Sequence, residues 1–284
     1  MYQIGIMQGR LLPPHEGRIQ CFPREHWAQE FPFAKRAGIA FIEWIYDEYG
    51  EDVNPLNSEE ALSQLQALAR EHGVAVPSMC ADLFMERPFL KASGKQLTDL
   101  QEKLCWLVDQ GKKLGIKTVT LPFVDNSKIE NEDQQNAIAE ILKMPVKHAE
   151  KAGVEIHIES SLGPQPFAEF LDKLPYNNVK VNYDSGNSSS LGYDPKEEFA
   201  AYAERVGSVH IKDRVRGGGT VPLGTGDADL PAVFRCLIDS GYRRNFVLQV
   251  ARSEPGQEVA WATQNRLYCE EQLRNLGVAC EETA

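Results

Sequence analysis

The chain is predicted to be an α/β protein folded as a closed (β/α)8 barrel, on three observations. Short apolar strands alternate with amphipathic helices along its length, and that alternation implies a parallel sheet. Eight such units fit into 284 residues, the size of one such barrel. No Gly-x-Gly-x-x-Gly follows the first strand, which disfavours a doubly wound sheet.

The elements follow in order. The run 2–7 (YQIGIM) is a β-strand, and a Pro- and Gly-bearing loop leads to a helix over 24–37 that Gly38 stops. The second strand is 40–47, with Glu43 in its middle. Ser58 caps a helix that His72-Gly73 closes. The third strand, 74–82, tolerates Pro77 only near an end or an edge. After it, 83–95 has the length of a loop over an active site. Leu97, Leu100, Leu104, Leu107 and Val108 line one side of a helix over 96–114. Strands at 117–125, 154–160, 179–184, 206–212 and 246–250 alternate with helices over 131–153, 166–174, 195–205, 230–240 and 258–276. No linker or composition break divides the chain, so one domain spans 1–284.

Composition narrows the function. A net charge of −11, from 30 basic and 41 acidic residues, argues against nucleic-acid or anionic-membrane binding, which need basic footprints. No apolar run is long enough for a membrane helix, and no signal peptide is evident. Cys21, Cys80, Cys105, Cys236, Cys269 and Cys280 form no Cys-x-x-Cys pair. That suits free thiols in a reducing, cytoplasmic setting.

The late strands carry the chemistry. Glu159, Asp184, His210 and Gln249 stand at or near the ends of four of them, and the C-terminal strand ends of such a barrel form the active-site face. Side chains alternate along a strand, so His157 shares a side with Glu159, Asn182 with Asp184, and Lys212 with His210. Polar groups pointing into a barrel are costly unless paired or bound to a metal. Glu, Asp and His together suit one divalent ion, Mn²⁺, Mg²⁺, Co²⁺ or Zn²⁺. Asp184 is also a good helix cap in the run DSGN.

These residues, with the runs VPSMC, NYDSGN, SVHIKD, VPLGTGDADL and FRCLIDSGY, resemble the xylose isomerase-like TIM-barrel superfamily of sugar and sugar-phosphate isomerases and epimerases. The nearest branch is that of the L-ribulose/L-xylulose-5-phosphate 3-epimerases. The resemblance implies one divalent metal held by a Glu, an Asp, a His and a second Glu, with the two glutamates as base and acid on opposite faces of an enediolate. It places Glu159, Asp184 and His210 in the first three positions and Gln249 in the last. It also implies a small sugar or sugar phosphate as substrate and a possible homo-oligomer. Asn187 stands where relatives touch substrate.

Gln249 departs from that pattern. Its carbonyl oxygen can touch a metal, but it cannot carry a proton, and it weakens metal affinity by one charge. A second proton then comes from Lys212, Glu43 or a metal-bound water. Alternatively the reaction needs one base, as in aldose–ketose isomerisation or keto-polyol dehydration, or the barrel binds carbohydrate without catalysis. An apurinic-endonuclease-like activity is disfavoured by six histidines and the acidic charge. The expected assignments are Glu159 as base, Lys212 as its catalytic partner, and Glu43, Asn187, Arg214 and Arg252 around the substrate. Trp44 and Phe84 are candidates for an apolar wall. Arg10, Arg214, Arg216 and Arg252, with the GGG and GTG runs, are candidates for a phosphate site.

Overall fold

In the computed structural model, which describes residues 2–279, the apolar runs pair into a closed ring. Seven barrel strands come in chain order: β1 (Ile4–Met7), β2 (Phe41–Ile45), β3 (Ala75–Cys80), β4 (Thr118–Phe123), β5 (Glu155–Ser160), β6 (Val179–Asp184) and β7 (Val206–Ile211). A short antiparallel hairpin, β8 (Asp213–Arg214) with β9 (Thr220–Val221), precedes the last barrel strand, β10 (Phe246–Leu248). Each barrel strand pairs in parallel with its neighbour, and β10 closes the ring between β7 and β1. The (β/α)8 barrel is the observed fold.

Helices pack outside the ring: α1 (Glu30–Ala37), α2 (Glu59–His72), α4 (Gly94–Leu114), α5 (Glu132–Ala152), α6 (Pro164–Asp172), α8 (Pro195–Tyr202), α9 (Leu230–Asp239) and α10 (Glu258–Asn275). Two short helices, α3 (Leu83–Glu86) and α7 (Ser185–Leu191), lie in strand-to-helix connections. Ser58, Asn131 and Asp229 accept hydrogen bonds from the first turns of α2, α5 and α9. Gly38, Gly73, Gly115 and Gly153 end α1, α2, α4 and α5 in the left-handed conformation.

Several expectations are revised by packing. The predicted helix over 24–37 is a 3-10 turn (Arg24–Gln29) leading into α1. Pro77 sits inside β3, not at an end; the β2–β3 register slips between the Phe41–Ala75 and Glu43–Ser78 pairs, so a bulge absorbs the missing donor. The loop after β3 folds as α3 and a 3-10 turn, fastened by the stacked, buried rings of Phe84 and Phe89. Trp44 and Phe84 therefore belong to the core and form no sugar-facing wall. No disulfide joins the five described cysteines, and Cys280 lies outside the described residues. Among the described residues, no helix is long and apolar enough to cross a membrane.

A second bulge sets up the strand-end chemistry. Val181 pairs with Val206, but Asn182 pairs with Ser208, so β7 carries one extra residue there, at Gly207. A Cβ on Gly207 would lie 2.6 Å from the His157 ring and the Lys180 side chain, so only glycine fits. The slip brings Asp184 opposite His210. Without it, Asp184 would face Val209.

Candidate functional site

Glu159, Asp184 and His210 converge where β5, β6 and β7 end. One ligand atom from each lies within 4.8 Å of the others, and all three side chains are buried. His210 is held from below: its Nε2 lies 2.6 Å from Glu43 Oε1. Its Nδ1 faces Asn182 Nδ2 at 3.0 Å and Glu159 Oε2 at 3.4 Å. Burial pushes His210 down, but the Glu43 and Glu159 carboxylates outweigh it and raise the ring to about 10. Burial likewise pushes Glu159 up, yet His210, Lys212 and the Asn182 amide hold it below the usual carboxylate range.

Glu159 is gripped by two amides. Asn182 Nδ2 donates to Oε2 at 2.8 Å and Asn187 Nδ2 to Oε1 at 2.6 Å. Asp184 divides its oxygens. Oδ1 accepts from the backbone N–H groups of Gly186 and Asn187, capping α7, while Oδ2 faces Lys212 Nζ at 3.3 Å. The capping and site-facing readings of Asp184 thus hold together, one on each oxygen.

Lys212 completes the cluster. Its Nζ reaches Gln249 Oε1 at 2.9 Å and Asn187 Oδ1 at 3.2 Å, besides Asp184. The aliphatic stem crosses the start of α7, where a Cβ on Gly186 would fall 2.5 Å from Lys212 Cγ. Gln249 sits with its carbonyl oxygen toward the cluster, and its Nε2 donates to Gln20 Oε1 at 2.9 Å.

Three acidic or imidazole donors at this spacing, buried and preorganised, fit a single divalent cation. The carboxylate behind His210 strengthens that fit. A metal-ligating imidazole typically gives its other nitrogen to a carboxylate, which fixes the ring and raises its basicity.

Above the cluster opens a cavity of about 270 Å³, walled by Arg10, Gln20, Asp82, Glu159, Lys212 and Gln249 among others. Asn187 and Arg214 also reach it, and Gly219 and Thr220 of the β8–β9 hairpin cover one side. Arg214 ties that hairpin down through the Gly218 carbonyl and donates to Asn187 Oδ1 at 2.9 Å.

Two residues expected around the substrate lie elsewhere. Glu43 is fully buried beneath His210 and off the cavity wall. Arg252 is spent on the carbonyls of Gly9, Leu12 and Ile19, clamping the loop after β1. The phosphate grouping is revised in the same way. The backbone N–H groups of Gly224 and Gly226 serve the Asp213 carboxylate, so the GTG run has no donors to offer an anion. The Arg216 guanidinium lies over Gly192. Of the four arginines, Arg10 and Arg214 line the cavity. His157 is a fully buried side chain bonded to Ser208 and Glu155, a pleat below Glu159 as its spacing implied.

Asp82 and Gln20, outside the expected site residues, also line the cavity. Asp82 follows β3 by two residues and is 6% exposed. Its Oδ2 accepts from Gln20 Nε2 at 2.7 Å, and its Oδ1 lies 3.1 Å from Cys80 Sγ. The strand-end rule that picked out Glu159 and Asp184 picks out Asp82 as well, once applied to the third strand.

Comparison with known proteins agrees with this architecture. The L-ribulose-5-phosphate 3-epimerase UlaE of Escherichia coli (strain K12) is 27% identical over 250 residues, covering 84% of this chain and 88% of that protein. A solved structure of L-ribulose 3-epimerase superposes with a TM-score of 0.77 at 18% identity, over 97% of this chain and 95% of the other. The IOLI protein, solved with a bound zinc atom, superposes with a TM-score of 0.74 at 18% identity, over 94% and 97% of the two chains. The model of the family described as xylose isomerase-like TIM barrel matches residues 31–271, and with most of its length inside that match this chain belongs to the family.

Proposed function

We propose that this chain is a metal-dependent isomerase or epimerase of ketoses or ketose phosphates that removes a proton from the carbon beside a carbonyl. The observation that carries the reading is the buried Glu159–Asp184–His210 group, whose Glu159 lines the wall of a cavity at the strand ends. Family membership and the activity named for the relative UlaE support it. Glu159, Asp184 and His210 Nδ1 would hold the ion, with Gln249 Oε1 as a neutral fourth donor. A divalent ion there supplies a positive charge that polarises the substrate carbonyl and stabilises the enediolate.

The chain's own groups do the rest. Glu159 takes the proton; the amides of Asn182 and Asn187 fix its carboxylate, and nearby cationic groups keep it ionised and ready to accept. Lys212, centred among Asp184, Asn187 and Gln249, offers its ammonium to a substrate oxygen. Asn187 and Arg214 border the same space, and Arg10 and Arg214 are the cations available to a phosphate. The β8–β9 hairpin restricts water on one side.

The test is incubation of L-ribulose 5-phosphate and of free L-ribulose in D₂O with Mn²⁺. Deuterium entering at C3 identifies an epimerase, and at C1 an isomerase. Loss of water with a new ultraviolet absorbance identifies a dehydratase. Glu159→Gln is expected to slow exchange about 10²- to 10⁴-fold, the usual contribution of a positioned base. Absence of exchange or water loss with either ketose would leave a carbohydrate-binding barrel.

A further inference from the structure

We infer that Asp82 carries the second proton of the reaction, returning it to the face of the enediolate opposite Glu159, in place of the carboxylate missing at position 249. This rests on the enediolate reading above. Epimerisation needs two proton carriers on two faces, and Gln249 cannot be one. Asp82 is the other carboxylate on the wall that is not already part of the ion-holding group or exposed at the rim: Asp125 also borders the cavity but sits on the outer loop after β4. It enters from the end of β3, two strands round the ring from Glu159 on β5.

Three further observations bear on it. First, Gln249 and Asp82 are joined. Gln249 Nε2 donates to Gln20 Oε1, and Gln20 Nε2 donates to Asp82 Oδ2. Arg10 Nη2 also approaches Gln20 Oε1 at 3.2 Å, which fixes that oxygen as acceptor and the amide nitrogen as donor. A glutamate at 249 would set carboxylate oxygens against an oxygen of Gln20, so an amide at 249 and a carboxylate at 82 suit each other. Second, Asp82 is held in place from three sides, by Gln20, by Cys80 and by its own turn into α3. Third, burial pushes its carboxyl up to about 6; the bonds from Gln20 and Cys80 pull it down, and the charges of Asp47 and Glu159 push it further up. A carboxyl of that kind is partly protonated near neutrality and can donate.

The proton count closes. The C–H bond beside the carbonyl breaks and its proton goes to the ionised Glu159. The O–H bond of neutral Asp82 then breaks, and its proton forms the new C–H bond on the opposite face. Product leaves with Glu159 neutral and Asp82 ionised, and exchange with solvent resets both.

The experiment uses the full chain with Mn²⁺ and L-ribulose 5-phosphate in D₂O, following deuterium at C3 of recovered substrate and formation of the C3 epimer. For Asp82→Asn, epimer formation should fall about 10²-fold or more, with KM little changed, while deuterium still enters recovered substrate within about tenfold of the wild-type rate. Asp82→Glu should recover part of the epimerisation. Wild-type epimerisation by Asp82→Asn overturns the inference. So does loss of both exchange and epimerisation in a variant with unchanged thermal stability, because Asp82 would then belong to the first proton removal. Absence of exchange in the wild type overturns the enediolate reading itself, a distinct result.

Discussion

Glu43 Oε1 and His210 Nε2 meet at 2.6 Å, both side chains fully buried, across the barrel interior from β2 to β7. The pair turns His210 Nδ1 toward Glu159 and Asp184. Burial pushes the Glu43 carboxyl up, but the charge and hydrogen bond of His210 bring it net below the ordinary range, so Glu43 stays ionised against the ring. Glu43→Gln keeps the shape and removes the charge. It is expected to weaken Mn²⁺ or Zn²⁺ binding about 10- to 100-fold, as loss of such outer partners does. Titration calorimetry on the variant and the wild type checks it, and equal affinities would detach Glu43 from the proposed ion site.

Gln249→Glu tests the neutral donor. The new carboxylate would face the Lys212 ammonium and the proposed ion, so divalent-metal affinity should rise about tenfold or more. The same change sets a carboxylate oxygen against the acceptor Gln20 Oε1 and breaks the bond from Gln249 Nε2. Folding stability should therefore fall by about 1 kcal/mol in the metal-free protein. Metal affinity and urea midpoints measured together separate the two effects. An unchanged affinity would place side chain 249 outside the ion's reach.

Gly186→Ala probes Lys212. The added Cβ would fall 2.5 Å from Lys212 Cγ and 2.9 Å from its Cβ and Cδ, so the lysine stem must shift. Overpacking of this kind costs about 1–3 kcal/mol, and it would move the ammonium off Asp184, Asn187 and Gln249. A lower melting temperature with reduced deuterium exchange into substrate is expected. A destabilised variant with unaltered exchange would remove Lys212 from the proposed chemistry.

What the sequence revealed follows a physical line. Glu159, Asp184 and His210 were legible because each is a polar residue at the inward phase of an apolar strand, which demands a partner. The depth of a residue was not legible. Glu43 and Glu159 look alike in sequence, yet the stagger of the strands buries one under His210 and leaves the other on the cavity wall. Arg214 and Arg252 likewise both follow strand ends, and only tertiary contacts send one to the cavity and the other to loop carbonyls. Of α7 only the start is legible, in the Asp184 cap: its run SGNSSSL has weak helix propensity, and Gly192 ends it in the left-handed conformation. Asp82 closes the predicted third strand as Glu159 and Asp184 close theirs or nearly so, but only the fold brings Gln20 against it.

The last prediction concerns stability. Glu30, at the start of α1, is fully buried and accepts from the Gly9 N–H at 2.6 Å. Burial pushes its carboxyl up to about 7, against the pull of that hydrogen bond and of the Arg252 charge. The folded chain therefore keeps a proton that the unfolded chain loses near its ordinary value of 4.5. In that window the folded state binds more protons, so this group's contribution to stability declines as pH rises from about 4.5 to 7 and levels off above. A shift of that size corresponds to about 3 kcal/mol. Glu30→Gln retains an acceptor for Gly9 and removes the ionisation. Its urea-unfolding free energy should lack this decline, so that the variant gains on the wild type between pH 5 and pH 8. Parallel profiles for the two proteins across that range would contradict the assignment of the decline to Glu30.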